Sequence, residues 1–279
     1  MKNRPAATIV FSLLALAMPG ASRAQSASSH AATSESAPRF FQQFITDAVI
    51  VQKQWYSGEL RIERGAVPPI QDADGFLLTP IIAVSPVRDL EVGGKVSYID
   101  FHLDHDILVD HGRRRFSGES GLGDLSLWGK YRFLDGPVMV TAGGSLDLPT
   151  GAENDGLGTG KLVPAIFGAV RAKVGDGAVL GDVGFRFNRD STIIDTRFNG
   201  KTSTFIGGGY VWQPVQDLAV SGEVTVESER FDETDSDIRV TAGAQWLGIA
   251  HSVLRGAVAV GLSDGAPDFE LILGYAYTF

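Results

Sequence analysis

Asp268 to Phe279 reads D-F-E-L-I-L-G-Y-A-Y-T-F. Every second position (Phe269, Leu271, Leu273, Tyr275, Tyr277, Phe279) is large and apolar, and Glu270, Ile272, Gly274, Ala276 and Thr278 between them are mostly small or polar. Strict period-two alternation over this length predicts a strand with one face in an apolar medium and one in a wetter one. Soluble domains seldom finish on such a strand with a terminal Phe. Outer-membrane barrels do, and Tyr275, Tyr277 and Phe279 are then expected to carry the assembly signal.

The same alternation recurs upstream. Leu90, Val92, Gly94, Val96 and Tyr98 oppose Glu91, Gly93, Lys95 and Ser97. Leu125, Leu127, Gly129, Tyr131 and Phe133 oppose Asp124, Ser126, Trp128, Lys130 and Arg132. Segments 138–148, 179–187, 218–226, 238–246 and 254–262 repeat the scheme, and 55–63, 76–84, 163–174 and 204–212 are weaker members. With the last segment the expectation is an all-β, antiparallel up-and-down transmembrane barrel of about 12 strands.

Connections alternate in length. Ser85–Asp89, Leu134–Pro137, Gly175–Gly177 and Gln213–Asp217 carry tight-turn chemistry, with Leu247–Val253 the least regular of the short set. Long polar connections are expected at 64–75, 102–123, 149–162, 188–203 and 229–236, with a shorter one at 263–267. Short periplasmic turns alternating with longer extracellular loops are the pattern of an outer-membrane barrel.

The N-terminus agrees. Lys2 and Arg4 precede an apolar run from Ala6 to Met18, and Ser22-Arg23-Ala24 offers small residues for cleavage. Residues 1–24 therefore read as a signal peptide, cleaved after Ala24. Gln25 to Arg39 is rich in Ser and Ala. Residues 25–44 are assigned to a flexible periplasmic leader and 45–279 to the barrel. No Cys occurs, so disulfides and thiolate metal sites are excluded. Downstream of the apolar leader run, no apolar stretch reaches the ~18 residues of a membrane helix. A net charge of −9 argues against a nucleic-acid partner. The partners expected are outer-membrane lipids, the barrel-assembly machinery and a small solute that the sequence does not name.

The competing reading is a soluble lipocalin-like barrel, whose outer face must be charged. Here aromatics (Tyr131, Phe133, Trp212, Trp246, Tyr277, Phe279) gather beside the short turns. That fits an interfacial girdle, which a soluble barrel has no reason to build.

From Gly121 the chain reads G-L-G-D-L-S-L-W-G-K-Y-R-F, followed by Leu148-Pro149-Thr150-Gly151 and Leu157-Gly158-Thr159-Gly160; Arg88–Gly94 (R-D-L-E-V-G-G) precedes the block. This combination resembles the bacterial family named after the meta-pathway of phenol degradation, the MetA-like outer-membrane transporters. The resemblance spans roughly 45 to 279 and is sharpest over 88–188. It implies passive uptake of small solutes, hydrophobic or aromatic ones included, and no cofactor. Since the family name records operon association, no phenol-related activity follows. Read from the residues alone, 149–162 is either ordinary loop architecture or an inward fold placing Gly158 and Gly160 near the wall.

The predicted inner face holds Glu91, Lys95, Asp124, Lys130, Arg132, Asp147, Asp182, Arg186, Glu223, Arg239, Arg255 and Glu270 as lumen-facing candidates. Charges are tolerated in a wet lumen and costly toward lipid. They form either salt-bridge ladders bracing the wall or a polar constriction.

His102, His105 and His111 lie among Asp104, Asp106 and Asp110; the run reads as a solvated loop, with a divalent metal the alternative. A lipid hydrolase would need a strand-borne His facing a Ser, and none is apparent, so no catalytic residue is assigned. The reading is an outer-membrane channel for passive uptake, not an enzyme. The rivals are a structural barrel with a plugged lumen and, further off, an outer-membrane lipid hydrolase.

Overall fold

The computed structural model describes residues 37–51, 54–67, 70–71, 73–109 and 114–278. Twelve antiparallel strands close into one barrel. They are β1 (Gln54–Arg64), β2 (Ala73–Val87), β3 (Leu90–Lys95 and Tyr98–Val109), β4 (Arg114–Leu122 and Leu125–Leu134), β5 (Val138–Leu148) and β6 (Val163–Val174). After them come β7 (Gly177–Phe187), β8 (Thr202–Val215), β9 (Leu218–Glu227), β10 (Asp237–Ile249), β11 (Ser252–Gly261) and β12 (Phe269–Thr278). Each strand pairs with its neighbours in sequence, and β1 closes the ring on β12, from Trp55 opposite Thr278 to Arg64 opposite Phe269. Closure leaves the ring without an open edge, which is what lets a sheet stand in lipid.

The alternation read from sequence decides which face is which. Ile82, Val92, Leu127, Ile166, Val183, Ile206, Val224, Val258 and Leu273 all project outward and are exposed, while Glu59, Glu91, Lys130, Arg171, Glu223, Arg255 and Glu270 on the opposite phase are buried. A soluble protein would not leave so many large apolar side chains bare around its whole circumference. The outward band is the lipid face of a transmembrane barrel. Tyr131, Phe133, Trp212 and Trp246 stand outward near the short turns as expected. A second outward set, Phe76, Tyr98, Phe185, Phe187 and Phe269, rings the other end of the strands. Two girdles bound the apolar band.

Short turns at 88–89, 135–137, 175–176, 216–217 and 250–251 share one end of the barrel. The turn at 250–251 is tighter than the 247–253 expected from sequence. Gly175 takes φ +58° in its turn, a conformation costly for a side-chain-bearing residue. The long-loop end departs further from expectation. Residues 102–123, anticipated as one loop, are mostly the β3–β4 hairpin, with Ile107 opposite Phe116. Polar residues on both faces hid the period there, because this hairpin stands above the apolar band. Short strand pairs at Ala66–Val67 with Ile70–Gln71, and at Ser191–Ile193 with Thr196–Phe198, order two other loops.

β3 and β4 are each interrupted, at 96–97 and 123–124. Below the breaks β3 and β4 pair through Lys95 and Ser126, and β4 pairs with β5 up to Leu125 and Leu148. Above them, β4 pairs only with β3.

Candidate functional site

The lumen is occupied. Residues 38–50 fold into the barrel from the short-turn end, and Phe40, Phe41, Ala48 and Ile50 are completely buried. The leader assigned to 25–44 is corrected here: residues 25–36 lie outside the described residues, and 38–44 belong to the barrel interior. The reason is in the composition, since Arg39-Phe40-Phe41-Gln42-Gln43-Phe44-Ile45 carries three aromatic rings that a solvated leader would leave bare.

The wall is shaped to receive these rings. Phe40 packs against Leu180, Val211 and Ala219, and Phe41 against Ala257 and Ile272. Inward-facing Gly209 and Gly243 give them room: a Cβ would lie 2.5 Å from the Phe40 ring at Gly209 and 2.4 Å from the Phe41 ring at Gly243. Phe44 stacks on Trp55 at 4.8 Å between ring centres and meets the edge of Trp128 at 6.3 Å. Burial of each ring contributes roughly 1.5–3 kcal/mol.

Charges of the wall then pin the segment's polar atoms. Arg171 donates twice to Asp47, at 3.0 and 2.8 Å, and once to the Pro38 carbonyl at 3.0 Å. Arg39 reaches Glu91 at 2.6 Å. Glu91 also accepts from Val51 N–H at 2.8 Å and the Trp128 indole at 3.2 Å, with Lys130 Nζ at 3.3 Å. Lys130 donates to the carbonyls of Asp47 at 2.7 Å and Ile45 at 3.1 Å. Glu223 accepts from the N–H groups of Phe41 and Gln42 at 2.7 and 2.9 Å. Arg255 holds Glu59 at 2.6 Å and the Phe40 carbonyl at 2.9 Å, its guanidinium 4.6 Å from the centre of the Phe41 ring. Thr46 donates to Asp182. Burial alone would raise the Asp47 carboxyl, but Arg171, Arg39, Lys130 and the Val49 N–H together hold it below the usual carboxylate range.

Of the twelve lumen candidates, Glu91, Lys130, Asp182, Glu223 and Arg255 thus grip the internal segment, and Glu270 joins them through Gln42 Nε2 at 2.6 Å. Arg255 and Glu270 also pair across the wall, with Glu59 at 2.6 Å and with Arg61 at 2.8 Å and Arg239 at 3.1 Å, so bracing of the wall and grip on the segment share the same charges. Arg132 sits at the short-turn rim and ties Asp89, at 2.8 Å, to Asp135, at 3.1 Å. Arg39 and Gln43 fall in the stretch assigned to the leader, and Asp47 at the start of the barrel range, where no alternation points a side chain inward.

On the long-loop side of the segment a cavity of about 380 Å³ remains, lined by Glu59, Arg61, Lys95, Arg186, Phe205 and Arg239 among others. Arg61 pairs with Glu270 at 2.8 Å and Glu59 at 3.2 Å. Arg186 joins Asp147 at 3.0 Å to Glu227 at 2.9 Å, and Arg239 joins Asp237 at 2.5 Å to Glu270 at 3.1 Å.

Asp124 faces the 149–162 loop instead of open lumen. Its carboxylate accepts from Gly151 N–H at 2.9 Å, Thr159 N–H at 2.9 Å and Thr159 Oγ1 at 3.2 Å. Thr150 Oγ1 donates to the Gly123 carbonyl at 3.1 Å and accepts from Leu125 N–H at 2.8 Å. The three pieces of the resemblance block, G-L-G-D, L-P-T-G and L-G-T-G, therefore form one latch at the break in β4. Gly158 lies against the wall, where a Cβ would meet Asp124 Oδ1 at 2.3 Å. Gly160 instead packs on Glu153 of its own loop. Leu157 anchors the loop in an apolar cluster with Phe101, Phe116, Ile194 and Phe231.

His102 is exposed, 3.5 Å from Asp100, while residues 110–113, which include His111, lie outside the described residues. Among the described residues no group of three or more His, Cys, Asp or Glu is arranged to hold a metal. His251 sits in a short turn at φ +59°, 6.1 Å from the Tyr277 ring. Tyr275 faces outward, its hydroxyl 2.9 Å from Ser252 Oγ, and Phe279 lies outside the described residues.

These features define a class: a closed β-barrel of outer-membrane type with an occupied lumen. No protein-family model and no curated relative matches the sequence. Solved structures do. An outer membrane channel from Pseudomonas putida F1 superposes with a TM-score of 0.59 at 16% identity, over 84% of this chain and 98% of that one. The NanC porin gives 0.54 at 9% identity, over 81% and 100%. The Pseudomonas putida toluene transporter TodX gives 0.51 at 9% identity, over 88% and 95%. At these identities the likeness establishes the fold.

Proposed function

We propose that the protein is an outer-membrane channel through which small solutes diffuse, closed at rest by the segment 38–50. One observation carries this reading: residues 37–51 form no strand and no ladder pair with the wall. Wall side chains bonded to its side chains and backbone, together with buried rings, hold the segment, so it can leave without breaking a single strand pairing of the barrel. A sealed scaffold would gain nothing from such an arrangement and would tolerate apolar filling better than buried charge.

The short-turn end, where the segment enters, faces the periplasm, and the long loops face outside. Delivery follows from the signal peptide at 1–24 and from recognition of Tyr275, Tyr277 and Phe279 by the assembly machinery. The resemblance to MetA-like transporters, together with a toluene transporter and an outer membrane channel among the structural neighbours, supports hydrophobic or aromatic solutes as cargo. Expression in a porin-deficient strain tests the proposal: uptake of small aromatic solutes should rise above the empty-vector level. Unchanged uptake with the protein present in the outer membrane would contradict it.

A further inference from the structure

The guanidiniums that line the cavity are all ion-paired. Arg61, Arg186 and Arg239 each hold two carboxylates, as described above. Lys95 lines the same cavity, and no carboxylate oxygen of the described residues lies within 4.0 Å of its ammonium. Its direct neighbours across the strands, Ile81 and Ser126, carry no charge. Through space Arg61 and Arg186 repel it while Asp147 and Glu59 attract it, and both carboxylates are committed to other partners. Asp147 accepts from Ser126 at 2.5 Å and Arg186 at 3.0 Å, and Glu59 from Arg255 at 2.6 Å and Arg61 at 3.2 Å.

We propose that Lys95 anchors a binding site for a small monocarboxylate with an apolar or aromatic body. The proposal rests on the channel reading and names the solute class that pauses in the vestibule. A compact ammonium with no carboxylate oxygen of the described residues within 4.0 Å is a point-charge receptor for one anionic group. Around it Thr79 and Ser97, 2.7 Å apart, and Ser145 supply hydroxyls, while Phe44, Phe167 and Phe205 supply apolar surface. The cavity, about 380 Å³, falls at the small end of the roughly 300–1,000 Å³ usual for ligand pockets.

One ammonium with no carboxylate oxygen of the described residues within 4.0 Å matches a single negative charge. Two carboxylates lining the cavity, Glu63 and Asp182, also hold no cation among the described residues, and Glu63 Oε2 and Asp182 Oδ1 are buried without a hydrogen-bond partner.

Saturation-transfer NMR on the refolded full chain tests this, with benzoate as probe and benzamide as its neutral counterpart. Benzoate should show saturable contact that K95Q weakens about tenfold, while K95R preserves it and benzamide contact is unchanged by either. Equal benzoate binding by wild type and K95Q, or equal binding of benzamide and benzoate by wild type, would overturn the site. If K95Q does not fold, judged by heat-dependent gel mobility, the benzoate–benzamide comparison on wild type decides. A liposome flux assay separates the two claims. Lys95-dependent binding without flux removes the channel reading and leaves the site standing, and flux without such binding does the reverse.

Discussion

Arg39 of the internal segment donates to Glu91 of β3 at 2.6 Å, and the two side chains keep 6% and 0% of their surface. Glu91 simultaneously receives the indole of Trp128, the N–H of Val51 and the ammonium of Lys130. One strand carboxylate thus organises two buried cations and two neutral donors, and the fit of the segment depends on its charge.

Replacing Glu91 by Gln keeps the shape and removes the charge. Stranding the partners of a buried pair costs roughly 3–5 kcal/mol, so the docked fraction of the segment should fall by about two orders of magnitude or more. Trypsin cleavage after Arg39 in the refolded barrel reads this directly. Wild type should resist, and E91Q should be cut about 100-fold faster.

Acid should release the same segment through Asp47. Its carboxyl is held below its ordinary 3.8, so the ionised form contributes docking free energy above that pH and loses it as pH falls through the lower folded value. Trypsin is unsuited to acid, so pepsin accessibility or conductance serves. The Asp47 contribution should be fully present at neutral pH and be lost only below about pH 4, where either signal should rise. D47N should dock weakly across this whole range.

The Asp124 latch predicts local loosening alone. D124A removes three acceptor contacts, each worth roughly 1.5–3 kcal/mol when the acceptor is charged. Amide exchange at Gly151 and Thr159 should accelerate by at least tenfold, while amides of β9 to β11 remain as protected as in wild type.

Lysine scanning checks the lipid face. Val183 projects outward from the middle of β7, whereas Ser145 lines the cavity. V183K should destabilise the barrel in urea titrations by roughly 2–4 kcal/mol, and S145K by under about 1 kcal/mol. Similar losses at both positions would reverse the assignment of faces.

The period-two pattern made the strands legible because each wall residue faces one of two very different media. It placed Glu91, Lys130, Glu223 and Arg255 inward without any structural information. Their partners were not legible in the same way. Arg39, Gln43 and Asp47 sit in a segment without periodicity, and only the cluster Phe40, Phe41 and Phe44 hinted that it is buried. The β3–β4 hairpin escapes that pattern for another reason: beyond the apolar band its outward residues are polar and its apolar ones, such as Leu103 and Phe116, are few, so alternation fades although pairing continues. Asp124 had the right strand phase for the lumen, but the break beside it turned its carboxylate to a loop 27 to 35 residues away in sequence.

The central claim is that a detachable segment closes an otherwise conducting barrel. Planar-bilayer recording of the refolded protein, with and without residues 38–50, tests it most directly. Wild type should show small or rare openings, and the deletion variant a steady conductance several-fold larger. A deletion variant that is folded and inserted yet as closed as wild type would contradict the account.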